Sequence, residues 1–410
     1  MATHPDNLVS LTRDMQRPDR ATILSRIRET LPGIAANALA TEQARQVPAE
    51  NVEALRKAGL YQILQPLEFG GYEQDFDALA EAIQEIASAC ASTGWVCGLY
   101  AAHQWLLAQF PVEAQHDVWD EDADGMVCGS YAPTTKAEPV EGGYRISGRW
   151  SFASGCDHAK WALCAAMIPG DTPETPPKPA FMLVRADDYR IDDDWFTVGL
   201  AGTGSKTLVL DQVVVPAHRM LFFPDVMNGH SPGSRHHAHN PTFAVPMFVY
   251  FPSCLVSAGL GAAAGALAQY VEQVGARQTR GAVTGGAIRM AEFPTIQIRV
   301  AEAAASLDAA REILMRDLRH RTESVRAGRA ITKEERVESR RGQAFAVKLT
   351  VQAVEALNAS TGGQGLALAN PVQRAWRDVN ATARHISFNW DAVGSMAGAM
   401  ALGLEPKGMF

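Results

Sequence analysis

STGGQGLALANPVQRAWRDVNATARHISFNWD, residues 360–391, sets glycines at 362, 363 and 365 ahead of Pro371 and a helical pattern that carries Trp376, Arg377, Asp378, His385 and Asn389. Glycines, having no Cβ, let backbone N–H groups close on an anion or a flat polar ring. Asp378, His385 and Asn389 fall at i, i+7 and i+11, a spacing that predicts one shared helix face. A group titrating near neutrality, beside an amide and a carboxylate, suits proton handling at a reacting centre. A glycine-capped turn and a helix with a hydrogen-bonded core histidine would read the same way from this stretch alone.

Working outward, residues 344–359 are apolar nearly all round, as in the central helix of a bundle. Ile296, Val300, Ala303, Leu307, Ala310 and Leu314 recur at alternating four- and three-residue steps and mark a bundle seam. The charge-rich 332–341 segment reads as a solvated helix face. Residues 243–268 carry no charge, but Pro246 and Pro252 interrupt them and the second half is mostly Ala and Gly. A buried bundle helix accounts for them better than a membrane span.

Before the bundle lies a different periodicity. From Met126, five short runs rich in β-formers are separated by turn signals such as Glu141-Gly142-Gly143, with no helical pattern between them. Antiparallel strands are expected, not βαβ units. Within this region WSFASGCDHAKW (150–161) should place Trp150, Phe152 and Ser154 on one strand face, an aromatic wall beside a hydroxyl. A Cys156/His158 nucleophilic pair is a rival of low weight. GLAGTGSKTLVL (199–210) has its glycines before a strand, the reverse of a dinucleotide-binding loop, and reads as a tight turn. The first 125 residues read as helices. Pro48 and Gly59 bracket one of them, Leu79, Ile83 and Ile86 face one way on another, and Trp95, Leu99 and His103 share a face on a third.

The expected organisation is a helical N-terminal domain (1–125), a β domain (126–224), a His-rich loop (225–242) and a C-terminal helical bundle (243–410). The loop carries four histidines, His230, His236, His237 and His239; the last three could touch a metal, but no Cys or carboxylate completes a site nearby, so no metal is assigned. A length of 410 residues with 47% hydrophobic composition fits two or three packed domains. The formal charge of −8 argues against nucleic acid or an anionic membrane as partner. Six cysteines without a CxxC pair, and a polar N-terminus, point to a reduced, cytoplasmic protein.

The α–β–α order resembles the acyl-CoA dehydrogenase fold over about residues 25–405. GALAQYVEQVGARQTR (265–280), AEFPTIQIRVAEA (291–303) and GGQGLALANPVQRAWRDV (362–379) carry the likeness. Dehydrogenases of that fold place a glutamate base shortly after the Arg-Asp pair, where this chain reads HISFNWD. The chain instead resembles the oxygenase branch: the two-component, reduced-flavin-dependent monooxygenases that hydroxylate phenols and related aromatics. An acyl-CoA dehydrogenase or oxidase using FAD is the alternative.

That resemblance implies reduced flavin, FMNH2 or FADH2, with O2 as co-substrate, and transfer of oxygen to an aromatic ring through a flavin 4a-hydroperoxide. It implies a separate NAD(P)H-dependent flavin reductase and a homotetramer. By the same resemblance Ser154 contacts the flavin near N5, Ser130 lines it, and Trp150 and Phe152 wall it. Arg277, Gly363 and Gln364 hold its tail or edge, within one subunit or across an interface, with Arg280 a rival to Arg277. His385 lies by the substrate hydroxyl as base or orienter, His103 stands at the far wall, and Phe388 and Asn389 complete the pocket.

Overall fold

A computed structural model of the protein describes residues 17–170, 172, 174–279 and 287–410. The polar start of the chain and Arg280 lie outside the described residues. Asp19 caps the first helix through the Thr22 N–H, and five helices follow one another: α1 (Arg20–Ala44), α2 (Ala49–Ala58), α3 (Phe76–Ala89), α4 (Ala91–Leu107) and α5 (Val112–Trp119). Gly59 ends α2 in the left-handed region at φ 87°, where a side chain is disfavoured, and Pro48 caps its start.

Among the described residues eight strands come next: β1 (Val127–Lys136), β2 (Glu138–Val140), β3 (Gly143–Ala153), β4 (Trp161–Ile168), β5 (Lys178–Arg185), β6 (Arg190–Asp192), β7 (Lys206–Pro216) and β8 (Met220–Phe222). They form two four-stranded sheets, ordered β1-β4-β5-β8 and β2-β3-β7-β6. Five of the six pairings are antiparallel as expected, but β1 and β4 run parallel. The chain leaves the first sheet to build β2 and β3 in the second, and so re-enters in its original direction without a crossover helix.

The remainder is helical: α6 (Phe223–Met227), α7 (Pro232–His236), α8 (Met247–Tyr250), α9 (Pro252–Ala276), α10 (Pro294–Arg326), α11 (Lys333–Asn358), α12 (Pro371–Thr382) and α13 (Trp390–Ala401). The Met247–Ala276 segment, whose one charged residue is Glu272, is long and apolar enough to cross a membrane, yet 89% of its apolar window is buried inside the protein. On α10 the predicted seam residues Ile296, Ala303, Leu307, Ala310 and Leu314 are buried. α11 starts at a capping box in which Thr332 and Glu335 satisfy each other's backbone N–H.

The tight turn predicted at GLAGTGS is there, as a short 3-10 turn (Ala201–Thr203), and it is also where the three regions meet. A Cβ on Gly199 would stand 2.2 Å from the Arg377 carbonyl oxygen of α12, and one on Gly202 would stand 2.6 Å from Thr41 of α1. Leu200 sits between them in the left-handed region, φ 51°, and its N–H donates to the buried Asp378 carboxylate at 2.7 Å. Beside it the Arg377 guanidinium pairs with Glu42 of α1 and donates to the Val198 carbonyl at 2.8 Å.

Burial pushes the Asp378 carboxyl up to about 6 from its ordinary 3.8, against the Leu200 N–H, which pulls it down. The native state therefore keeps a proton that the unfolded chain releases, and this contribution to stability is lost as pH rises from about 4 to about 6. Asp378→Asn retains an oxygen for Leu200, so in urea unfolding it should gain on the wild type between about pH 4 and about pH 7. Parallel pH curves for the two would disprove a raised carboxyl. Asp378→Ala, which strands a buried N–H, should cost about 1–3 kcal/mol at either pH.

Candidate active site

Helix α4 runs through the middle of the molecule, and Leu99 is its only residue that is not buried. That one partly buried position is the candidate opening. Leu99 lies one turn from Trp95 and one turn from His103 on the same face, so those two side chains flank the opening.

On the Trp95 side, two distant parts of the sequence converge. The indole N–H donates to Ser154 Oγ at 3.1 Å, and the ring centroid lies 6.1 Å from that of His385, edge to face. Ser154 and His385, expected to act together, stand against the same tryptophan. On the other side, about 12 Å along the helix axis at 1.5 Å per residue, His103 has both nitrogens engaged. Its Nδ1–H donates to the Val127 carbonyl at 2.5 Å, and its Nε2 accepts the Tyr131 hydroxyl. Burial pushes this imidazole down to about 4, so it is neutral at pH 7. The Tyr131 hydroxyl thus occupies the imidazole's Nε2. Sequence reasoning did not single it out, because the pairing spans 28 residues and two domains.

The expectation that Trp150, Phe152 and Ser154 share a strand face is wrong. The β3–β7 register shifts between Trp150 and Ala153, and Phe152 has φ 70°. Such a bulge breaks the two-residue alternation. Trp150 is buried with its N–H on the Ala165 carbonyl at 2.7 Å, whereas Phe152 is 68% exposed and packs edge-on to Trp195, 5.6 Å between centroids. Ser154 lies beyond the bulge, 2.7 Å from Ser205 Oγ. Ser130 donates its hydroxyl to the Ser151 carbonyl at 2.7 Å, linking β1 to β3. Cys156 and His158 are occupied separately. The thiol faces the Gly204 carbonyl, with burial raising it to about 12, and the imidazole holds the Val47 carbonyl.

The single helix face predicted for Asp378, His385 and Asn389 does not form either. α12 stops at Thr382, and two caps follow. His385 Nδ1 accepts the Ser387 N–H at 3.3 Å, and Asn389 Oδ1 accepts the Ala392 N–H at 3.1 Å to start α13. Asp378 faces Leu200, and Asn389 is exposed and spends its amide oxygen as a cap. Phe388 is buried, its ring 5.6 Å from that of His385. Burial, reinforced by the Arg340 guanidinium, pushes His385 down to about 4. Arg340, which donates to the Ser387 carbonyl at 2.7 Å, is a second residue that spacing did not reveal.

At the other end of α12, Arg277 donates to the Thr361 carbonyl at 2.5 Å, and a Cβ on Gly362 (φ 67°) would stand 3.2 Å from its guanidinium. Nothing lies within 4 Å of the Cβ position at Gly363, and Gln364 is exposed. This cationic, Cβ-free loop suits phosphate or the polar edge of a ring, and the exposed Phe152 beside Ser154 offers a flat apolar face. The residues fit a flavin. The twelve-residue helix α12, about 18 Å long, lies between the loop and His385 in the chain.

The His-rich loop folds onto the segment after α2. His236 reaches Glu68 at 2.8 Å, His239 reaches Glu73 at 3.0 Å, and His237 reaches Gln115 at 2.8 Å. Glu68, His236 and His237 bring ligand-type atoms within 4.8 Å of one another. One carboxylate distant in sequence, Glu68, thus completes the cluster, and each member has a hydrogen-bond partner.

The model of the acyl-CoA dehydrogenase N-terminal domain matches residues 20–121, and that of its C-terminal domain matches 253–390. The FADH(2)-dependent resorcinol hydroxylase oxygenase component of Rhizobium sp. (strain MTP-10005) is 59% identical over 374 residues, covering 90% of this chain and 91% of the relative. The crystal structure of 3-HSA hydroxylase from Rhodococcus sp. RHA1 superposes with a TM-score of 0.89 at 34% identity, over 95% of this chain and 100% of that one. XiaF from Streptomyces sp., solved with FADH2 and glycerol, gives a TM-score of 0.85 at 27% identity over 94% and 96%. The first two of these relatives are named hydroxylases, which sets aside acyl-CoA oxidation. The chain belongs to the oxygenase components of flavin-dependent monooxygenases built on the acyl-CoA dehydrogenase fold.

Proposed function

We propose that the protein hydroxylates a phenol of the resorcinol class, an aromatic ring already carrying hydroxyl groups. A separate NAD(P)H-dependent flavin reductase would deliver the reduced flavin, FADH2 by analogy with the 59% identical relative. The observation that carries this reading is the convergence of Ser154 and His385 on Trp95, beside the one unburied position of α4. Reduced flavin, when bound, supplies two electrons and the centre at which O2 is activated. One oxygen atom enters the ring and the other leaves as water.

The chain's own residues do the rest. His385 is neutral at working pH, and its Nδ1 is engaged by the Ser387 N–H, so the proton of the neutral ring sits on Nε2. That N–H would donate to the phenolic oxygen and stabilise negative charge on it, which makes the ring carbons more nucleophilic. The wiring supports an orienting donor over a base. Ser154 would face flavin N5, and Tyr131, backed by His103, would close the far wall in place of His103 itself. Leu99 and Phe388 give the pocket its apolar lining, which keeps water from the activated oxygen.

Exposed apolar side chains gather on the C-terminal half, among them Val271, Ile298, Leu366, Leu368, Leu402 and Leu404. A groove of about 570 Å³ on the α10–α11 face, lined by Ile313, His320, Phe345 and Trp390, adjoins α13. These surfaces support a homotetramer. Six free, buried cysteines support a cytoplasmic setting.

Three outcomes are expected. Purified protein with oxidised flavin and NADH, and no reductase, should consume no NADH, whereas photoreduced FAD in air with resorcinol should give a product 16 mass units heavier. NADH turnover in the first mixture would refute the two-component reading. Product formation should fall about 10²-fold in His385→Ala, and His385→Gln, which keeps an N–H donor, should recover part of it. Equal losses in the two would favour a base. Sedimentation at micromolar concentration should give four times the chain mass, and a stable monomer would contradict the assembly.

A further inference from the structure

Ser154 begins a chain of short oxygen–oxygen contacts. Its Oγ lies 2.7 Å from Ser205 Oγ, which lies 2.7 Å from Thr203 Oγ1, and Thr203 donates to the Leu200 carbonyl at 2.8 Å. All three hydroxyls are buried. Each contact needs one proton between its oxygens, and the three hydroxyls supply three. A carbonyl has no proton to offer, so that of Thr203 must point to Leu200. The Ser205 proton then lies toward Thr203, and the Ser154 proton lies toward Ser205. The Trp95 N–H, at 3.1 Å, fills one Ser154 lone pair. What Ser154 has left is a lone pair and no proton.

We infer that Ser205 and Thr203 are positioning residues that make Ser154 an obligate acceptor, so that the site selects reduced flavin over oxidised flavin. Reduced flavin carries a hydrogen on N5, which can be donated to that lone pair. Oxidised flavin presents a lone pair at N5, and two lone pairs repel. The inference rests on the proposed placement of Ser154 at N5. The far end of the relay is anchored, because Leu200 is held by Asp378 through its N–H and by the Trp195 indole at its carbonyl, 3.0 Å. The direction of one buried proton is thus set from the C-terminal bundle.

The test needs binding alone. Oxidised FAD and dithionite-reduced FAD are titrated anaerobically into the full-length protein, and flavin fluorescence and ultrafiltration give the two dissociation constants. Wild type should bind the reduced form more tightly. Ser205→Ala and Thr203→Val each free the Ser154 proton, so the ratio Kd(oxidised)/Kd(reduced) should fall about tenfold, chiefly through tighter oxidised FAD. Thr203→Ser, which keeps the relay, should restore the ratio. General damage to the site would weaken both forms and leave the ratio in place. If Ser154→Ala alters neither affinity, Ser154 is not at the flavin, and the placement falls together with the relay. If Ser154→Ala moves the ratio and both relay variants leave it unchanged, the relay alone is wrong. Should Ser205→Ala fail to fold by circular dichroism, Thr203→Val decides.

Discussion

A backbone N–H of the β domain reaching a carboxylate in the C-terminal bundle is the contact on which the rest of the molecule depends. Leu200 adopts a left-handed conformation that a branched side chain resists, at a cost of about 1–3 kcal/mol. It persists because Asp378 takes its N–H and because the flanking glycines let α12 and α1 close in. Around that point the Arg377–Glu42 pair ties the first helix to the twelfth. Ser154, His385 and Trp95 each come from a different region, so a site made of all three exists only while the regions stay docked.

Burial does much of the site's electrostatic work. His103 and His385 are both pushed down to about 4, and neither carries charge at neutral pH. For such imidazoles the linkage runs one way. The unfolded chain takes up their protons below about pH 6.5 while the native state does not until about pH 4, so their contribution to stability falls as pH drops through that window. What remains at neutral pH is a set of neutral dipoles, each aimed by a second bond. Ser387 aims His385, Val127 aims His103, and the threonine–serine chain aims Ser154.

The elements were legible because their signals are local. The Pro48 and Gly59 bracket, the α10 seam and the β-rich runs after Met126 all report on their own few residues, and the structure follows them. The surroundings of the candidate site were less legible. Ser154 and His385 could be named through a resemblance carried by motifs, but their neighbours could not. A bulge at Phe152 undid the alternation that grouped it with Trp150, and two competing caps ended the helix meant to carry Asp378, His385 and Asn389. Arg340 and Tyr131 act through partners 47 and 28 residues away, a distance over which periodicity carries no information. GLAGTGS was correctly a turn; that it is also the junction belongs to what packs against it.

The near-complete burial of α4 has a consequence for how such a protein diversifies. Every residue of that helix except Leu99 is buried, so most substitutions there strain the fold before they reshape the pocket. Leu99 is only partly buried and packs against the core on its covered side. Substitution along the helix is therefore tolerated best at that one position.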